Sequence, residues 1–158
     1  MSTPDATTAS PAASTTPEIE VVLAFLGHLE RMDVAAALDL VADDVVYQNV
    51  PLPPDRGRAA VARTLHGMMR LGSGFRVENH NIAANGPVVL TERTDVLSVG
   101  RVDAAFWVCG TFEVHDGRIT LWRDRFDWVD FSLAWVRGGA KAALAAARAR
   151  PAGAPTGG

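Results

Sequence analysis

Three turn signals cut the second half of the chain into four strand-like segments, and they leave few folds open. Asn85-Gly86-Pro87, Gly100 and Asp116-Gly117 separate residues 75–84, 88–99, 102–115 and 118–128. These segments are rich in β-branched and aromatic residues, and Asp-Gly between two such runs is a strong hairpin signal. Consecutive strands joined by short turns pair antiparallel. The expectation is a four-stranded meander, with Gly110 a candidate kink in its third strand.

Helical spacing dominates what precedes the meander. Ile19, Val22, Phe25, Leu26 and Leu29 recur on one helical face, so a helix runs from about Pro17 to Glu30, with Thr15 and Glu18 as its capping box. Asp33 caps a second, short helix that turns Val34, Ala37 and Leu38 inward. Val45 to Val50 reads as a strand, stopped by the rigid loop Pro51-Leu52-Pro53-Pro54-Asp55. Arg58 to Leu71 reads as a third helix with Val61, Leu65, Met68 and Met69 toward the core, the methionines as core filling. A last helix covers about Asp130 to Ala149, with Gly138-Gly139 a candidate interruption.

Helices, then strands, then a closing helix make an α+β pattern. The strand ahead of the third helix leaves room for one parallel pairing. The expectation is one domain over 17–149: a strongly curved, mixed but mostly antiparallel sheet around an apolar pocket, with about four helices. Residues 1–16, almost all Ser, Thr, Pro and Ala, read as a disordered tail, and 150–158 as a flexible one.

Composition narrows the function. At 158 residues and 48% hydrophobic, the chain suits one well-filled core. A net charge of −3 argues against a surface that tracks nucleic-acid phosphates. No apolar run is long enough to span a bilayer, and no basic residue precedes Arg31, so a cytoplasmic location is expected. Cys109 stands alone, which rules out an intrachain disulfide, and reads as a small buried hydrophobe. His28, His66, His80 and His115 lack metal-ligand spacing, and neither a nucleophile elbow nor a phosphate-binding glycine motif is visible. No metal, nucleotide or organic cofactor is expected.

Strand parity then singles out five polar residues, because side chains alternate across a strand. In residues 118–128, Trp122, Asp124, Phe126 and Trp128 share a face, so Asp124 is a lone carboxylate among aromatics. Such a group must be paired, protonated or functional. Thr91, Arg93 and Asp95 share a face with Val89 and Leu97, and Arg93 and Asp95 are roughly 7 Å apart along the strand. These two fit a surface ion pair as well as a buried one. Tyr47 and Asn49 share a face with Val45, and either point hydrogen-bonding groups into a cavity or serve packing and the turn before Pro51.

Three segments resemble the limonene-1,2-epoxide hydrolase family, within the cone-shaped fold of the nuclear-transport-factor-2-like and SnoaL-like proteins. They are Tyr47-Gln48-Asn49-Val50-Pro51, Leu90-Thr91-Glu92-Arg93-Thr94-Asp95, and Ile119 to Asp127, and the likeness runs from about Glu18 to Arg137. The resemblance implies a cofactor-independent epoxide hydrolase that adds water in one acid–base step to give a vicinal diol. It implies Asp124 as general base, Tyr47 and Asn49 as holders of the same water, Asp95 as general acid, and Arg93 between the carboxylates. It further implies a homodimer and a small or medium apolar epoxide, such as a cyclic terpene-like or lipid one. Two alternatives stay open on the same fold: an isomerase or cyclase, and a non-catalytic module that binds apolar ligands.

Overall fold

A computed structural model describes residues 15–149. The expectations of disorder in 1–14 and 150–158 lie outside the described residues. Ten elements follow in order: α1 (Pro17–Glu30), α2 (Val34–Asp39), β1 (Val41–Val50), β2 (Asp55–Arg56), α3 (Arg58–Leu71), β3 (Gly74–Asn85), β4 (Val88–Val99), β5 (Val102–His115), β6 (Arg118–Arg125) and α4 (Trp128–Ala149). The four helices, the meander and the α+β class match the sequence reading.

Local chemistry explains most boundaries. Thr16, rather than Thr15, caps α1 by accepting from the Ile19 amide. Asp33 caps α2 by accepting from the Ala36 amide at 3.0 Å. Asp116 and Gly117 both take positive φ, as the tight β5–β6 hairpin demands. β1 begins at Val41, earlier than the pattern suggested, and runs through Asp43–Asp44. β6 stops at Arg125 because Asp127 turns the chain: its Oδ1 accepts from the amides of Val129 and Asp130 and so starts α4. The expected strand to Trp128 and helix start near Asp130 are corrected accordingly.

The strands form one sheet in the order β2-β1-β6-β5-β4-β3, with β1 and β6 parallel and the other pairs antiparallel. The expected strong curvature is not found. The sheet is an open layer with two edges, β2 and β3, and its inner pair β4–β5 keeps register without a break from Val88↔Glu113 to Val99↔Val102. Tight bending needs bulges in such strands. The register shifts lie elsewhere, between Val41 and Val46, Asn79 and Asn81, and Glu113 and Val114. Gly110 is likewise no kink, since it pairs with both Thr91 and Asp124 in register.

The core lies between one sheet face and the helices. Val22, Phe25, Leu26 and Leu29 of α1 and Val61 and Leu65 of α3 are fully buried against Phe112, Ile119 and Trp122. Phe25 meets Trp122 edge to face at 5.0 Å. α4 forms a second cluster, with Ala134 against Ala104, Phe106 and Val108. Gly138-Gly139 does not interrupt α4. Gly138 is buried where a β-carbon would collide with the Asp103 carbonyl, so it lets the helix lie close on β5. Among the described residues no helix is long and apolar enough to cross a membrane.

Candidate active site

Pairing across four strands builds the site in rows on the helix-covered face. One row runs Phe112, Trp122, Tyr47 across β5, β6 and β1. The next runs Thr91, Gly110, Asp124, Asn49 from β4 to β1. Beyond it, Arg93 lies opposite Val108 and Asp95 opposite Phe106. All five residues singled out by parity therefore come together.

Four of them border a cavity of about 220 Å³, with Arg93 off its wall. Tyr47, Asn49, Asp95 and Asp124 supply its polar wall. The remaining wall is apolar and includes Leu65, Met68 and Met69 from α3, Leu97, Phe106 and Val108 from the sheet, Phe126 from the link after β6, and Trp128 and Phe131 from α4. The methionines expected as core filling thus face the cavity. Phe126 and Trp128 line it although β6 has ended at Arg125. The Trp128 indole is fixed by donating to the Val50 carbonyl at 2.9 Å. Trp107, 49% exposed and absent from the cavity wall, does not exclude water from the site. Cys109 is half-buried rather than buried, one position out of step with the cavity face.

Arg93 is the hub, with no exposed surface. Its Nε donates to Asp95 Oδ1 at 2.8 Å and its Nη2 to Asp95 Oδ2 at 3.2 Å. Nη2 also donates to Asp124 Oδ2 at 2.8 Å, and Nη1 to Thr91 Oγ1 at 2.9 Å. The surface reading of the Arg93–Asp95 pair is thereby excluded. A buried cation stripped of partners would cost several kcal/mol. Here one cation faces two carboxylates, so full ionisation leaves an excess negative charge in a dry site. The two acids are therefore coupled, and the site favours keeping one proton.

The two carboxylates differ in their contacts. Burial pushes the Asp95 carboxyl up to about 6; Arg93 opposes this, and the charges of Asp124 and Glu30 add to it. Burial also raises Asp124, against Arg93 and a 2.8 Å hydrogen bond from the Trp122 indole to Oδ2. Both donors thus converge on Oδ2, while Oδ1 is buried with no hydrogen-bond partner among the described residues. An unsatisfied buried carboxylate oxygen is rare in a folded protein. Burial of Arg93 works against its charge, yet Asp124 and Asp95 outweigh this and keep the guanidinium firmly protonated.

Tyr47 stacks on Trp122 with ring centroids 4.0 Å apart, and its hydroxyl accepts from Asn49 Nδ2 at 2.6 Å. Burial, with Asp124 adding, raises the phenol further above its ordinary range. Tyr47 therefore keeps its proton at neutral pH and can donate it. The arrangement offers a proton acceptor, two neutral polar groups beside it, and a second carboxyl that holds a proton readily, all on one wall of an apolar cavity.

Parity missed three contributors. Thr91 and Trp122 stand on the faces that parity gives them, but the hydrogen bonds they make with Arg93 and Asp124 are not readable from it. Gly110 is the third: a β-carbon there would collide with Arg93 Nη1 and crowd Thr91 Oγ1. A glycine inside a strand signals a close approach, and here a guanidinium makes it.

A family model described as the limonene-1,2-epoxide hydrolase catalytic domain matches residues 16–137. Epoxide hydrolase EphG of Mycobacterium tuberculosis (strain ATCC 25618 / H37Rv) is 48% identical over 117 residues, which is 74% of this chain and 78% of that protein. The solved structure of an M. tuberculosis LEH-like epoxide hydrolase superposes with a TM-score of 0.76 at 43% identity, covering 82% of this chain and 96% of the other. TerC, co-crystallised with polyporic acid, shares the fold alone: TM-score 0.67 at 20% identity, over 77% of this chain and 99% of its own.

Proposed function

The chain belongs to the limonene-1,2-epoxide hydrolase family and is an epoxide hydrolase; we propose that it works by direct attack of a water activated by Asp124. The observation that carries this reading is the unpartnered Asp124 Oδ1 on the cavity wall, its sister oxygen held by Arg93 and Trp122. That oxygen is free to accept a proton from water. In this reading Tyr47 and Asn49, one strand away and hydrogen-bonded to each other, hold the same water.

Opening the ring also requires a proton on the departing oxygen. Asp95 is the donor in this reading, because its raised pKa lets it hold a proton near neutrality. The water then loses its proton to Asp124 as its oxygen bonds to the epoxide carbon. The C–O bond breaks as its electrons take the Asp95 proton. The product is a vicinal diol, and the return of the proton from Asp124 to Asp95 restores the starting state. Opposite protonation of two acids is what runs both halves at one pH.

The wall chemistry points to an apolar epoxide. A volume of about 220 Å³ equals about seven bulk waters, which favours a compact ring over a long chain. The homodimer implied by the resemblance is part of this reading. Exposed Leu90 and Trp107, on the sheet face away from the cavity, support it. Product analysis on a panel of compact apolar epoxides tests the function: the diol is expected from the native chain, with a loss of about 10²–10⁴-fold in Asp124→Asn. Full activity in that variant would overturn the role of Asp124.

A further inference from the structure

We propose that α4 docks the protein on an anionic membrane surface. Val129, Leu133, Val136, Ala140, Leu144 and Ala147 follow one another at helical spacing and are all exposed. They form an apolar stripe along the whole helix, on the side opposite buried Ala134 and Gly138. Arg137, Lys141 and Arg148 each stand one position after Val136, Ala140 and Ala147, so all three cations flank the same edge of the stripe.

Charge decides the occupant. Between Phe131 and Ala149 the helix carries no acid, and Asp130 is already paired with Arg137 at 2.8 Å. Beside this edge lies a cleft of about 400 Å³ between α4 and the sheet, where Arg76, Arg101, Arg137 and Lys141 meet a single carboxylate, Asp103. Among the described residues Arg76, Arg101 and Lys141 have no carboxylate within ion-pair distance. A second copy of α4 laid on the stripe would bring these cations against their like. Anionic headgroups would neutralise them while the stripe enters the acyl boundary, which is the geometry of an interfacial helix. Trp128 and Phe131, in the first turn of the same helix, border the cavity. Docking would therefore hold the cavity beside the phase in which apolar epoxides collect. That benefit rests on the proposed function; the docking itself does not.

Vesicle flotation of the full chain reads docking without turnover. The expected result is recovery with vesicles of phosphatidylcholine and phosphatidylglycerol in equal parts, little with phosphatidylcholine alone, and release by high salt. Lys141→Gln weakens binding by about fivefold, as does Arg148→Gln, and Leu144→Ser weakens it too, with circular dichroism unchanged. Soluble glycerophosphate at moderate concentration leaves binding intact. No recovery with anionic vesicles, or equal recovery with neutral ones, overturns the proposal. So does light scattering in which Leu144→Ser or Val136→Glu converts a dimer to a monomer, since a second copy would then own the stripe.

Discussion

Arg93 Nη1 occupies the space that a β-carbon on Gly110 would need. This one relationship links a mid-strand glycine to the buried cation of the site. It explains why β5 carries a glycine in mid-strand with no break in pairing. Gly110→Ala would push the guanidinium off its two carboxylates. A stability loss of about 1–3 kcal/mol is expected from overpacking, with kcat reduced by tenfold or more. Thermal unfolding and steady-state kinetics check both. An alanine variant with native kcat would show that Arg93 placement is not critical.

Trp122 is a positioning residue, since its indole holds Asp124 Oδ2 at 2.8 Å. Trp122→Phe keeps most of the stacking with Tyr47 and Phe25 but removes the donor. Losing a hydrogen bond to a charged group costs about 1.5–3 kcal/mol. The Asp124 carboxyl should rise further, so the acid side of the pH–rate profile should move to higher pH. A fall in activity with an unmoved profile would reduce Trp122 to packing.

The raised Asp95 carboxyl makes two pH predictions. As the general acid it must be protonated, so kcat/KM should fall as pH rises through about 6. Its folded pKa lies above the ordinary 3.8, so the folded state binds more protons between those values. Stability should therefore decrease as pH rises from about 4 to about 6. Asp95→Asn should flatten that slope and abolish turnover. Denaturant titrations across this range read the slope directly, and an unchanged slope would contradict the shift.

Much of this was legible in the sequence because strand parity is strict. Asp124 among aromatics, the Arg93–Asp95 pair and the Tyr47–Asn49 pair were placed on their faces without a structure. Burial was not legible: Arg93 and Asp95 alternate like any surface pair, and only the helices laid over that face seal them in. Curvature was not legible either, because it depends on where register shifts fall, and residue types do not mark those. Trp107 shows the limit of parity across an uncertain glycine. A kink at Gly110 would leave its face open, and the unbroken register sets it on the outer side.

The central claim is that the oxygen added to the epoxide comes from a bound water facing Asp124 Oδ1. A single turnover in ¹⁸O-labelled water, with enzyme in excess over an apolar epoxide and products read by mass spectrometry, tests it most directly. Direct attack predicts label in the first diol formed, and diol formation slowed by about 10²–10⁴-fold in Asp124→Asn. An unlabelled first diol would place the oxygen on the protein instead, through an ester intermediate, and would contradict the account.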